Sequence, residues 1–145
     1  LTVHDVLTIA SLVEKEGSTD QDRKNIASVF YNRLNQNMPL QSNIAILYAQ
    51  GKLGQKTTLA EDAAIDTNID SPYNVYKNTG LMPGPVGNPS LSAIEATVNP
   101  AKTDYLYFVA NTETGNVYFA NTYEEHEKNV QEHVNSKLTQ SSSSS

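Results

Sequence analysis

Two carboxylates, Glu14 and Glu16, are the side chains of this 145-residue chain best placed by type and spacing to do acid–base chemistry. They close a segment, residues 3–16, in which Val6, Ile9, Ala10 and Val13 recur at helical spacing. At about 100° per residue, Glu16 falls near the stripe of Val6, Ile9 and Val13, while Glu14 lies further round, beside Leu7. Glu16 is thus the one aimed at the interior edge. Partial burial and the negative end of the helix dipole both disfavour a carboxylate there, so its pKa is expected to be raised. An acid still protonated near neutral pH is what protonation of a glycosidic oxygen requires. By position alone, a solvated helix-end glutamate balanced by Lys15 is the commoner arrangement.

Other chemistries find less support. The chain has no cysteine, which removes disulfides, thiolate zinc sites and thiol nucleophiles. His4 stands alone, and His126 and His133 share a helix face without a third ligand at a recognisable spacing, so no metal site is expected. Asp62, Asp66 and Asp70 recur every four residues, but no glycine marks a sharp turn and no glutamate closes a calcium loop. Of the eight tyrosines, Tyr48, Tyr73 and Tyr76 lie in or beside an irregular segment, where a flat ring edged by a hydroxyl suits a sugar face. Tyr105, Tyr107 and Tyr118 read as ordinary strand residues. A formal charge of −6 argues against a polyanionic partner, nucleic acid above all.

The elements that must position these groups follow from pattern. Residues 3–16 form one helix, for which Gly17 supplies a left-handed stop. Ser18, Thr19 and Asp20 offer caps for a second, reaching about Asn35, with Ile26, Val29, Phe30 and Leu34 as its buried stripe. The pair makes a helical hairpin. A short helix is preferred within residues 38–51. Residues 52–90, rich in proline and glycine but interleaved with Tyr73, Tyr76 and Leu81, are expected to be a long, ordered, groove-forming loop. Ser90 or Ser92 caps a short helix through Thr97, with Leu91, Ile94 and Val98 on one side. Residues 105–110 and 116–120 alternate as a β-hairpin, and Thr122 caps a last helix from Tyr123 to about Leu138. The fold class is α+β, with helices packed on a small antiparallel sheet. One domain spans residues 1–138, and residues 139–145 form a flexible serine-rich tail. The absence of an initial methionine and the immediate start of a helix suggest a piece of a longer protein.

Seven stretches converge on one resemblance. Residues 10–17 (ASLVEKEG), 29–34 (VFYNRL), 38–42 (MPLQS), 71–76 (SPYNVY), 80–85 (GLMPGP), 88–89 (NP) and 99–110 (NPAKTDYLYFVA) together resemble the MltG/YceG-type endolytic murein transglycosylases, in order and over nearly the whole chain. The resemblance implies cleavage of the β-1,4 bond between N-acetylmuramic acid and N-acetylglucosamine within peptidoglycan glycan strands, leaving 1,6-anhydromuramic ends. It places the catalytic acid/base at Glu16 and leaves Glu14 a supporting role. It marks Gln41, Ser42, Asn43, Tyr73, Asn74, Tyr76 and Asn88 as candidate substrate-binding residues. One departure stands out: Asn43 occupies a position where aspartate is common in the family.

The resemblance further implies no cofactor, a site on the outer face of the cytoplasmic membrane, and work beside cell-wall synthases such as penicillin-binding proteins. It also implies attachment to the membrane only through an N-terminal anchor outside this chain. Three alternatives stay open: a non-catalytic peptidoglycan-binding module, a plain glycan hydrolase, and a pyridoxal-phosphate lyase. The last lacks a recognisable Schiff-base lysine, phosphate cradle and pyridine-nitrogen partner.

Overall fold

The computed structural model describes residues 2–51, 67–111 and 113–135. Four helices among the described residues form the first layer. Helix α1, Val3–Glu16, starts in a capping box in which the Thr2 hydroxyl accepts from the Asp5 amide and the Asp5 carboxylate accepts from the Thr2 amide. Thr19 caps α2, Asp20–Asn35, by accepting from Asp22 N at 3.1 Å, with Asp20 and Asp22 in the first turn to complement its dipole. Helix α3, Asn43–Ala49, follows, and α4, Leu91–Val98, is capped by Ser90.

Two expectations are corrected here. Gly17 is not left-handed: its φ of −128° and ψ of 151° are extended. The glycine answers to proximity instead, since a Cβ there would stand 2.8 Å from Ile26 Cδ1 and 3.3 Å from Arg23 Cγ, so that the Ile26 side chain would have to shift. Helix α4 also turns a different face inward. Ala93, Ala96 and Thr97 are buried against α1 and α2, while Leu91 and Val98 are 71% and 53% exposed. Alanines let helix backbones approach closely, so the small residues together with Ile94, which packs on the core, mark its contact face.

Strands β1, Tyr107–Ala110, and β2, Val117–Ala120, pair antiparallel, with Tyr107 opposite Ala120 and Val109 opposite Tyr118. Asn111 organises the turn between them: its side-chain oxygen accepts from the Glu113 and Thr114 amides, and Gly115 adopts φ 79°. The strands are shorter than expected because Tyr105 lies outside the ladder, although Leu106 N still reaches Ala120 O. Helix α5, Tyr123–Val130, packs on this hairpin and runs into a π-helical turn, Gln131–Asn135. The hairpin joins the helical layer through Phe108, whose ring meets Phe30 of α2 edge-on at 5.7 Å. Ile9, Leu12, Val13, Ile26, Phe30, Leu40 and Val75 fill the core between these parts.

The α+β architecture is therefore as anticipated, and residues 67–90 run as an irregular loop without helix or strand. The first part of the expected groove loop, with Asp62 and Asp66, and the serine-rich tail lie outside the described residues.

Candidate active site

The two glutamates at the end of α1 have separate fates. Glu14 is consumed by structure: its carboxylate takes Arg23 of α2 at 2.6 Å and the Ser90 amide at the start of α4 at 2.6 Å. Arg23 also donates to Gly17 O at 3.0 Å, so one ion pair ties the ends of three helices. The Ser90 hydrogen bond, against the opposing effect of partial burial and with help from the Arg23 charge, holds the Glu14 carboxyl below its usual range. Because the folded pKa is depressed, the stabilisation is full above the unfolded value of about 4.3 and is lost as pH falls through the folded value. Glu14→Gln is accordingly expected to lower the melting temperature at pH 7 and to flatten its fall in acid. A melting curve series from pH 7 to pH 3 checks this, and a variant that melts in parallel with wild type at every pH would refute it.

Glu16, two residues on, is partly buried and turns to the other side. Its negative charge is felt by Tyr76, whose phenol is pushed up to about 12, first by burial and then by Glu16, with Arg33 acting in the opposite sense. Tyr76 thus remains a neutral phenol at any working pH. Its hydroxyl donates to the Asn43 side-chain oxygen, joining the loop to the first residue of α3.

The loop that carries Tyr76 is built against α1 and α3. Val86 N donates to Ser11 Oγ at 3.0 Å, His4 bonds Pro83 O at 2.7 Å, and Lys15 lies alongside Gly87. These contacts lay residues 83–90 along the face of α1 that carries His4, Ser11, Glu14 and Lys15. From the other side, Gln41 N donates to Val75 O at 3.1 Å.

The candidate residues divide by exposure. Gln41 and Asn88 are exposed, Tyr73 and Asn43 partly so. Tyr73 stacks obliquely on exposed Tyr48 with ring centroids 4.8 Å apart, forming an aromatic edge. Asn74 is fully buried, its amide donating to Thr67 O and Ile69 O while its oxygen accepts from the Tyr76 and Lys77 amides. It shapes the loop from within. Ser42 is also buried, at 1% exposure, and its hydroxyl has no partner among the described residues. The structure thus bonds Tyr76 to Asn43 and Gln41 to Val75, the residue before Tyr76, and the Glu16 charge acts on Tyr76, whereas Asn74 and Ser42 lie beneath the surface.

A cavity of about 510 Å³ opens elsewhere, between α2 and residues 100–104, and none of the candidate residues lines it. Several of its polar groups are engaged, Ser28 with Thr103, Tyr31 with Thr97 O and Asn32 with the Thr103 and Tyr105 carbonyls. The histidines are likewise occupied structurally: His126 stacks on Tyr107, and His133 lies flat on Tyr118 at 3.9 Å.

Sequence reasoning passed over Arg33. It is 5% exposed, donates to Leu106 O and Pro39 O at 2.6 Å, and lies 5.0 Å over the Tyr107 ring. Its position, three after Phe30 and seven after Ile26, is a stripe position of α2, and that spacing was the available signal.

Fold and site together define an α+β domain that offers one partly buried carboxyl, beside a neutral phenol and an amide, on a loop-built face. The chain belongs to the YceG-like family, whose model matches residues 1–132. It is 72% identical over 138 residues to an endolytic murein transglycosylase of Streptococcus pneumoniae, covering 95% of this chain and 25% of that protein. It is 49% identical over 137 residues to an endolytic murein transglycosylase of Bacillus subtilis, covering 94% and 36%. A crystal structure of a putative yceG-like protein from Listeria monocytogenes superposes with a TM-score of 0.77 at 53% identity, over 88% of this chain and 40% of that one. The chain thus spans between a quarter and two fifths of the length of these relatives.

Proposed function

We propose that this chain is the catalytic domain of an endolytic murein transglycosylase, with Glu16 as its acid and base. The observation that carries the reading is the division of labour at the end of α1. Glu14 is held ionised by Arg23 and Ser90, while Glu16 is partly buried and its charge acts on Tyr76 of the loop. The names borne by the relatives from Streptococcus pneumoniae and Bacillus subtilis support the same assignment.

In this mechanism Glu16 gives its proton to the glycosidic oxygen as the bond to the muramic C1 breaks, with the substrate's acetamido group easing the positive charge at C1. The C6 hydroxyl of the same sugar then bonds to C1 and returns its proton to Glu16. One carboxyl acts twice, no water is consumed, and the nucleophile arrives with the substrate, so the protein mainly supplies position. Gln41, Asn43, Tyr73, Tyr76 and Asn88 would contact the strand, and Ser42 and Asn74 would support them from below. With such a substrate, the proposed site of action is the outer face of the cytoplasmic membrane, beside cell-wall synthases.

The test is to digest purified glycan strands and weigh the products. Anhydro ends, lighter by one water than reducing ends, support the proposal. Reducing ends would make the protein a hydrolase, and no cleavage would leave a glycan-binding module.

Asn43 gives a second handle. In Asn43→Asp the Tyr76 hydroxyl keeps an acceptor, but a negative charge is added beside the acidic centre, where like charge disfavours ionisation. The alkaline limb of the activity profile is therefore expected to move to higher pH. A rate profile measured from pH 4 to pH 9 reads this directly, and a limb that stays in place or moves down contradicts it.

A further inference from the structure

We propose that Arg33 is the positioning residue of this site: its guanidinium, bonded to the Pro39 and Leu106 carbonyls and the Gln41 side chain, holds a left-handed turn at Gln41 that sets Tyr76 and Asn43 beside Glu16. A buried cation is costly unless something recovers the cost. Among the described residues no carboxylate pairs with Arg33, and its partners are neutral oxygens: Leu106 O and Pro39 O at 2.6 Å and Gln41 Oε1 at 3.4 Å. The Tyr107 ring, 5.0 Å away, adds a cation–π contact. Only a planar fork with several donors reaches the strand entry and the turn at once, and a lysine ammonium cannot.

The turn needs holding. Gln41 has φ 56°, a conformation that a residue other than glycine adopts against strain. Its amide reaches Val75 O, the carbonyl before Tyr76, and two residues after Gln41 the Asn43 side chain receives the Tyr76 hydroxyl. The Gln41–Val75 bond, the Tyr76–Asn43 bond and the chain between them close a circuit, to which Arg33 is tied through Pro39 O and the Gln41 side chain, and Tyr76 is the member on which the Glu16 charge acts. The Arg33 charge reaches Tyr76 as well, countering part of the effect of burial and of Glu16.

The inference rests on Glu16-dependent glycan cleavage, so the full-length protein is assayed as wild type and as Glu16→Gln, Arg33→Lys, Gln41→Ala, Gln41→Gly and the Arg33→Lys/Gln41→Ala pair. Arg33→Lys is expected to lower kcat about 10- to 100-fold with KM within about twofold, as a misplaced group does. Its combination with Gln41→Ala should cost little more than the worse single change, because both break one circuit. Gln41→Gly, which takes the turn without strain, should outperform Gln41→Ala. A wild-type kcat in Arg33→Lys, losses that multiply in the pair, or glycine no better than alanine at 41 overturns the proposal. Should wild type show no cleavage that depends on Glu16, the functional reading falls. Amide exchange at Gln41 then still decides the positioning role, because protection in Arg33→Lys equal to wild type refutes it and faster exchange upholds it.

Discussion

Glu16→Gln is expected to slow formation of anhydro ends by about 10²- to 10⁴-fold, the range that a positioned general acid–base contributes. Glutamine keeps the shape and the hydrogen-bonding capacity of the side chain but has no proton to give at the glycosidic oxygen and no carboxylate to take one back from the C6 hydroxyl. The loss should appear in kcat, since the substitution leaves the proposed strand contacts at Gln41, Asn43, Tyr73, Tyr76 and Asn88 in place. Thermal unfolding and circular dichroism of the variant are the controls for fold. Quantifying anhydro-muramic ends by mass against wild type checks the expectation, and a variant retaining a third or more of wild-type kcat would remove Glu16 from the mechanism. The neighbouring Glu14→Gln supplies the contrast. It cuts the tie among α1, α2 and α4 and should therefore reveal itself mainly in stability.

The largest expected effect on stability is that of Phe30→Ala. Phe30 is fully buried in α2, packs within the cluster of Ile9, Leu12, Val13 and Ile26, and meets Phe108 edge-on at 5.7 Å. Its removal takes away the transfer energy of the ring, the aromatic pair and the contact that seats β1 on the helical layer, and leaves a cavity. Together these cost about 3–5 kcal/mol, against a total stability of about 5–15 kcal/mol for a domain of this kind. The melting temperature should fall by roughly 10 °C or more. Differential scanning calorimetry measures it, and a fall under about 3 °C would mean that the core closes over the missing ring or that Phe30 is not central. Activity below the new transition should persist, because Phe30 takes no part in the bonds around Glu16.

These two expectations draw on different parts of what the chain encodes. Phe30 was legible because Ile26, Val29 and Phe30 recur at helical spacing, and local periodicity reports burial wherever large apolar residues carry it. The same logic reached only part of α4. Of Leu91, Ile94 and Val98 only Ile94 packs on the core, beside Ala93 and Ala96, and small residues that permit close approach leave a weak trace in hydrophobic pattern. Gly17 shows a related limit. A glycine after a helix signals a left-handed turn, yet here Ile26, nine residues on, would have to shift to admit a side chain.

At the site, angular position along α1 separated Glu16 from Glu14, because both lie on one rigid helix whose geometry is known in advance. The rest depended on loops. Nothing local in Asn74 tells that its amide is spent inside the loop on four backbone groups, nor in Ser42 that its hydroxyl is buried without a partner among the described residues.

The sequence by itself determined the α+β class, the helical hairpin, the β-hairpin and the carboxyl to examine first, since each is written in spacing over a few turns of chain. Only the tertiary structure decided which glutamate is engaged by Arg23 and Ser90, which face of α4 is buried, and that Arg33 lies sealed beneath the turn at Gln41. Those outcomes arise from contacts between residues 8 to 76 positions apart, such as Arg33 with Gln41 and Glu14 with Ser90. Pairings at such separations are set by how the elements pack, and no local pattern carries them.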